Sequence, residues 1–392
     1  MDPEDNPFSP GAGSPPPALT GRDDLIASAN VAVGRALKGR NARGIILLGL
    51  RGVGKTVLLN HIEGVADERG CQTVIVEAPE SRTLPELLVP KLSLALRRLD
   101  RVEAARELVR RASRALGGFA KAFKVGVGGL FEASVDVNAE YFSSGDLETD
   151  LPELFLLIGR AAKAAGRPVV LLLDEIQYLS QEDLSALIVA LHRISQKNLP
   201  VAFFGGGLPQ LAGLAGEAKS YAERLFQYAN VGPLGDEAAR AALTVPVEAS
   251  GLRFAPDALD IILAETAGYP YFLQEWGKYC WDVSNDGVVD AALVTSAREA
   301  VYTRLDEGFF NVRYDRMTPR ERDYIHALAS LGPGPHATGD VAARLGTSSQ
   351  RAGSTKNSLI KKGMVYSPEH GQTAFTVPLF DQFVIRRMGP RT

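Results

Sequence analysis

Gly44-Ile-Ile-Leu-Leu-Gly49-Leu-Arg-Gly52-Val-Gly54-Lys55-Thr56 passes from an unbroken apolar run into a glycine-rich turn and closes on a Lys-Thr pair. An apolar run without polar alternation is what a strand buried on both faces requires. The turn fits G-x-x-x-x-G-K-[ST], in which glycines let successive backbone N–H groups converge on an anion without Cβ interference. The expected phosphate ligands are the backbone and side chains of Gly49, Gly52, Val53, Gly54, Lys55, Thr56 and Val57. Lys55 would reach the β- and γ-phosphates, and Thr56 would offer its hydroxyl to Mg2+. A helix expected from Lys55 to about Arg69 points its positive end at the same anion.

Outward from this loop the pattern alternates between strand and helix. Thr73–Ala78, Val169–Leu173 and Leu199–Phe204 read as buried strands, separated by helical stretches near 84–99, 102–116 and 151–165. Such alternation implies an α/β fold whose parallel sheet is sandwiched by helices. Asp174 closes the third strand, where ligands of open parallel sheets bind, so it is the expected Mg2+ organiser. Glu175 beside it is the expected orienter of an attacking water. Gly205-Gly206-Gly207 follows the fourth strand and supplies only backbone groups. Arg224, in Ser220-Tyr-Ala-Glu-Arg-Leu-Phe226, is read as an arginine finger across a subunit boundary or, equally, as a structural ion pair.

With 392 residues, 45% apolar content and a net charge of −3, the chain has material for two or three buried cores and no general excess of positive charge for coating nucleic acid. Two cysteines make neither a disulfide framework nor a thiolate metal site, and five scattered histidines suggest no metal centre. No apolar run approaches the roughly 20 residues that cross a bilayer, and the start lacks a signal pattern, so a cytoplasmic protein without membrane partners is expected. Residues 1–18, rich in proline, are expected to form an unordered tail. A helix should follow, capped by Thr20 or Asp23 and running to about Lys38. The arginines between 97 and 114 alternate with acids and read as a solvated helix face. Lys124–Asn138, with period-two alternation about Gly128-Gly129, reads as an inserted β-hairpin.

Beyond residue 235 the periodicity is helical to about 310. From 311 onward Thr318-Pro-Arg-Glu321 opens a helix with a capping box. Two further helices, Gly339–Leu345 and about Gln350–Lys362, and paired runs Gly363–Tyr366 and Ala374–Val377 then suggest a winged helix-turn-helix. From Met317 on there are ten basic against five acidic residues. Arg351, Ser354, Thr355, Lys356 and Asn357 would face a major groove of duplex DNA, with Lys361 and Lys362 on phosphates, through the segment 350–362. A protein partner for the same module is the competing expectation.

Taken together, Gly21-Arg-Asp-Asp-Leu25, the 49–56 loop, Leu171–Leu179, Phe203–Leu211, Ser220–Phe226 and Ala267–Gln274 resemble the AAA+ P-loop ATPases, most nearly their origin-recognition-like and archaeal-type members that shade into the STAND signalling class. The likeness covers about 19–310. It implies a core at 19–234 and a helical lid at 235–310, ahead of the winged helix read at 311–392, with ATP and Mg2+ as ligands; homo-oligomerisation on ATP binding, through Arg224, is a further expectation. The likeness also implies that Gly21 and Arg22 lie near the adenine, and that Gly268-Tyr269-Pro270 sits in the lid where other members carry a sensor arginine. The chain departs from that pattern twice, lacking a polar first sensor at 205–207 and an arginine between Gly268 and Gln274. Slow hydrolysis coupled to a conformational switch is the implied behaviour.

Overall fold

In the computed structural model, residues 1–11, 13–79, 81–126, 144–284 and 287–389 are described. They form two compact units, a sheet unit of 24–48 and 58–230 and a helical unit of 1–23, 49–57 and 231–392.

The sheet unit is built on β1 (Gly44–Leu48), β2 (Gln72–Glu77), β3 (Val169–Asp174), β4 (Val201–Gly207) and β5 (Phe226–Asn230). The strands lie in the order β2-β3-β4-β1-β5, and every neighbouring pair is parallel. The helices of this part of the chain are α1 (Asp23–Leu37), α2 (Lys55–Glu68), α3 (Leu84–Leu99), α4 (Arg106–Ala122), α5 (Leu147–Ala165), α6 (Gln181–Gln196), α7 (Leu211–Ala218) and α8 (Ala222–Leu225). Every residue of β1 and β3 is buried, as their unbroken apolar runs require. Local signals set the helix ends. Thr83 and Glu86 form a capping box at α3, the Ser180 hydroxyl caps α6, and Gly166 in the left-handed region closes α5. Arg97, Arg98, Arg110 and Arg111 are exposed, with Arg111 paired to Glu107 one turn away, in keeping with a solvated face.

Two elements differ from the sequence reading. β4 continues through all three glycines instead of stopping at Phe204. β5 has only two of its five residues buried, so its mixed pattern carries no core signal even though it hydrogen-bonds along β1. The hairpin expected at 124–138 lies outside the described residues from 127 onward.

The helical unit contains α9 (Asp236–Thr244), α10 (Pro256–Thr266), α11 (Pro270–Val283) and α12 (Ala291–Leu305), with a parallel pair β6 (Arg253–Phe254) and β7 (Val288–Val289). A π-helical turn, Asp306–Phe310, leads into α13 (Asn311–Asp315) and α14 (Pro319–Ala329). Then come β8 (His336–Ala337), α15 (Thr338–Leu345), α16 (Ser349–Lys361), β9 (Val365–Tyr366), β10 (Gln372–Phe375) and α17 (Phe380–Met388). β10 pairs antiparallel with both β8 and β9, making a small three-stranded sheet beside three helices. β8 and α17 were not read from the sequence.

Aromatic side chains form the spine of this unit. Tyr271 stacks on Phe309 with centroids 4.5 Å apart, and Phe310 stacks on Phe383 at 5.3 Å, so the π-turn joins α11 to α17.

The first residues depart from the expected unordered tail. Phe8 is 2% exposed, and its ring lies so close to Gly277 of α11 that a Cβ there would come within 2.7 Å of it. Asn6 Nδ2 donates to the Lys278 carbonyl at 3.1 Å and to Asp282 at 2.8 Å, while Trp281 Nε1 donates to the Asp2 carbonyl at 2.8 Å. One aromatic seated in a glycine socket stabilises by about 2 kcal/mol, enough to order a short segment whose average composition is poor.

Candidate phosphate-binding site

Within the helical unit, the 49–57 loop takes the shape its glycines allow. Gly52 and Gly54 have φ of 83° and 94°, a region closed to side-chain-bearing residues at ordinary cost. Gly49 faces the Val231 carbonyl so closely that any Cβ would overlap it. Four of the loop's carbonyls, those of Gly49, Leu50, Gly52 and Val53, accept from donors in the same unit. Lys55 Nζ donates to the Gly49 and Leu50 carbonyls, each at 2.9 Å, and the side chain is only 6% exposed. Arg22 donates through Nη2 to the Val53 carbonyl at 3.3 Å and the Gly232 carbonyl at 2.5 Å, and burial pulls its pKa down. Gly21 beside it packs on Ala238, where a Cβ would come within 2.5 Å.

Pro270 opens α11 as its first residue, and the next N–H, on Tyr271, donates to the Gly52 carbonyl at 3.4 Å. Arg51 N–H donates to the Thr376 carbonyl, which follows β10, at 3.0 Å. The structure thus gathers Gly21, Arg22, Pro270 and the loop in one neighbourhood. The Thr56 side chain is exposed at the start of α2, and Val57 is half-buried. The Lys55 ammonium rests on two carbonyl dipoles, an arrangement that a phosphate oxygen can replace with a stronger, charge-assisted bond.

Within the sheet unit, Asp174 ends β3 with 5% exposure, and its Oδ1 accepts from Glu175 N–H at 2.8 Å. The register Leu173↔Gly205 and Leu48↔Gly207 puts this carboxylate on the sheet edge at which β1 also ends. Glu175 is half-buried with φ 55° and ψ 38°, a left-handed conformation that is costly for a residue with a Cβ. Its carboxylate accepts from Gln177 Nε2, and Gln177 Oε1 in turn accepts from Leu208 N–H at 3.0 Å.

The three glycines of β4 are shaped to this turn. A Cβ at Gly205 would meet Ile176 at 2.5 Å, one at Gly206 would overlap the Asp174 carboxylate, and one at Gly207 would lie 2.9 Å from Gln177 Oε1. Gln177 escaped the sequence reading. Its signal was a glutamine two residues beyond the acidic pair, facing a strand end with no side chains of its own.

Arg224 is exposed on α8 and makes no ion pair among the described residues. It precedes β5, whose Phe226 pairs with Gly44, so it sits at the amino edge of the sheet. With about 3.3 Å of rise per residue, the length of β1 sets it about 16 Å from the opposite edge. It cannot serve the Asp174 edge of its own sheet.

In the C-terminal module the expected groove-facing set divides. Arg351, Ser354, Asn357 and Lys361 are exposed on one face of α16. Thr355 and Lys356 are 7% and 8% exposed, and Lys356 Nζ donates to the Gln372 carbonyl at 2.6 Å, with burial lowering its pKa. Lys362 pairs with the buried Glu321 at 2.7 Å. Burial works to raise the Glu321 pKa, yet bonds from Lys362, Thr318 and Ser358 outweigh it and hold the group at about 2. Lys356 and Lys362 are therefore structural, tying β10 and α14 to α16, while the buried Thr355 donates to the Arg351 carbonyl within α16 at 3.3 Å.

Asp174 in the sheet unit and, separately, Thr56 in the helical unit each carry an oxygen of the hard kind that Mg2+ takes. Among the described residues no cluster of three or more His, Cys, Asp or Glu could hold a metal by itself.

Residues 18–204 match the AAA ATPase domain. That span opens just before Gly21-Arg22 and runs through the phosphate loop, Asp174 and Glu175. Residues 307–384 match a domain of unknown function (DUF8462). A comparison with curated proteins gave no match. Among solved structures, the Walker-type ATPase PABY2304 of Pyrococcus abyssi is similar at 16% identity and TM-score 0.57, over 95% of this chain and 98% of that one. The Orc1 protein of Aeropyrum pernix, solved in complex with DNA, gives 17% identity and TM-score 0.47 over 96% and 94%. Cdc6p of Pyrobaculum aerophilum gives 14% and 0.46 over 98% and 97%. The ATPase domain and the five-stranded parallel α/β fold thus stand together. Among the described residues no helix is long and apolar enough to cross a membrane.

Proposed function

We propose that the chain is an ATP-binding, Mg2+-dependent AAA+ ATPase that turns over slowly and uses its nucleotide state to control its C-terminal module. The observation that carries this reading is the 49–56 loop, with positive φ at Gly52 and Gly54 and Lys55 folded onto two loop carbonyls. In this reading Lys55 leaves those carbonyls for the β- and γ-phosphates. Loop amides from Gly49 to Val57 hold the remaining oxygens, Pro270 and Arg22 border the nucleotide with Gly21, and Thr56 and Asp174 hold the cation. Bound there, the cation would offset charge on the phosphates. Glu175 orients water for attack on the γ-phosphorus and accepts its proton as the bond to the β–γ bridging oxygen breaks, releasing ADP and phosphate. Slow turnover follows from glycines at 205–207, which offer no polar side chain to the γ-phosphate.

The helices at 236–305 then act as a lid, and the module from 311 as a winged helix whose Arg351, Ser354, Asn357 and Lys361 face contacts duplex DNA. Its coupling to nucleotide runs through the Arg51–Thr376 hydrogen bond and the Tyr271–Phe309 stack. The commitment of Lys356 and Lys362 to internal bonds favours a second reading, a STAND-like switch whose winged helix binds protein. Arg224 completes a neighbouring protomer in an ATP-bound homo-oligomer, in a cytoplasmic setting.

Single-turnover release of γ-phosphate tests the enzymatic core. Glu175→Gln should bind Mg·ATP as wild type does and lose hydrolysis; equal rates for the two proteins would refute the role given to Glu175. For the tail, the full chain should bind a duplex at low salt with affinity falling as salt rises, and Arg351→Glu should weaken it. No duplex binding at low salt would leave the protein-partner reading.

A further inference from the structure

Gln177 lies within the Leu171–Leu179 stretch but has been given no role above, and several features converge on it. Its Oε1 accepts from Leu208 N–H at 3.0 Å, which fixes the amide's orientation, because a backbone N–H can only donate. Its Nε2 therefore faces the Glu175 carboxylate and donates to it. The strand opposite leaves room for it, since a Cβ at Gly207 would lie 2.6 Å from the Leu211 side chain and 2.9 Å from Gln177 Oε1. Glu175 itself is held at φ 55°, a conformation that persists where surrounding bonds enforce it.

We infer that Gln177 is the positioning residue for Glu175, supplying from the β3 turn the polar group that the glycines at the end of β4 do not. The inference rests on the role proposed for Glu175. A carboxylate that must aim at one water is poor at its task if it swings through its rotamers. A hydrogen bond from an amide that is itself pinned to the backbone removes that freedom before substrate arrives. The same bond ties Glu175 to the chain at Leu208, so any movement of the segment after β4 is transmitted to the carboxylate. Gln177 touches no reacting atom in this scheme and acts only through Glu175.

Two substitutions separate positioning from mere support. Gln177→Glu keeps the shape and the acceptor for Leu208 N–H but replaces the donor to Glu175 by a second carboxylate. Gln177→Leu removes both bonds without adding charge. Mg·ATP affinity, single-turnover γ-phosphate release and melting temperature are measured for wild type, both variants, Glu175→Gln and the double variant Glu175→Gln/Gln177→Glu. The expected result is a 10- to 100-fold drop in hydrolysis for both Gln177 variants at unchanged ATP affinity, with no further loss in the double variant beyond Glu175→Gln. Hydrolysis at the wild-type rate in Gln177→Glu or Gln177→Leu, with Glu175→Gln inactive, would overturn the inference while sparing the parent reading. Equal hydrolysis by wild type and Glu175→Gln, or none by wild type, would overturn the parent reading itself.

Discussion

Two glycine-rich stretches each follow an apolar strand in this chain, and they are glycine-rich for opposite reasons. In the 49–56 loop, Gly52 and Gly54 are needed for their backbone, whose φ values of 83° and 94° lie where a side chain is costly. At the end of β4 the backbone is ordinary strand, and Gly205, Gly206 and Gly207 are needed for the absence of a side chain. The space they leave is filled by Ile176, the Asp174 carboxylate and the Gln177 amide. One stretch is a cradle and the other a mould. Glycine content alone does not tell them apart; what a Cβ would strike does.

The difference implies that substitutions in the two stretches should fail in different assays. Lys55→Ala, which removes the cradle's only ammonium, should produce the largest effect, a loss of Mg·ATP affinity of about 100-fold or more with melting temperature little changed. Gly206→Ala should come next and behave in the opposite way. Its methyl group competes with the Asp174 carboxylate, so thermal or urea unfolding should show a loss of about 2 to 3 kcal/mol. If Gly206→Ala were as stable as wild type, the β4 end would not be a mould at all. Gly54→Ala should cost about 1 to 2 kcal/mol of strain, read as roughly tenfold weaker ATP binding, because nothing lies within 4 Å of its added Cβ. Gly207→Ala should be mildest, about 1 kcal/mol in stability, since its nearest neighbour, the end of the Leu211 side chain at 2.6 Å, is able to shift. A fall in γ-phosphate release larger than that stability loss predicts would sharpen the comparison by showing that the mould also serves Glu175.

What the sequence disclosed follows the same division. The strand, turn and helix start around 49–56 were legible because their signal is local, a fixed glycine spacing between an apolar run and a helix, all within 44–69. The parallel sheet was legible because β1 and β3 are buried on both faces and carry no polar alternation to confuse the reading. Gln177 was not legible as a site residue, since its meaning depends on a strand thirty residues further along the chain. β5 was missed because Phe226-Gln-Tyr-Ala-Asn230 at a sheet edge alternates weakly. Phe8 was missed because composition averages over a segment, whereas docking needs one ring and one socket, here Gly277. On α16 the residue types were read correctly as basic, but periodicity could not show that Lys356 points at the Gln372 carbonyl instead of outward. Long-range partners decide such residues, and a single sequence does not display them.

Whether the bend between β1 and α2 grips a triphosphate is decided by isothermal titration of the full chain with Mg·ATP. Saturable heat with one site per chain, lost in Lys55→Ala, is expected. A wild-type protein, folded by its melting curve, that gives no heat at millimolar Mg·ATP would contradict it.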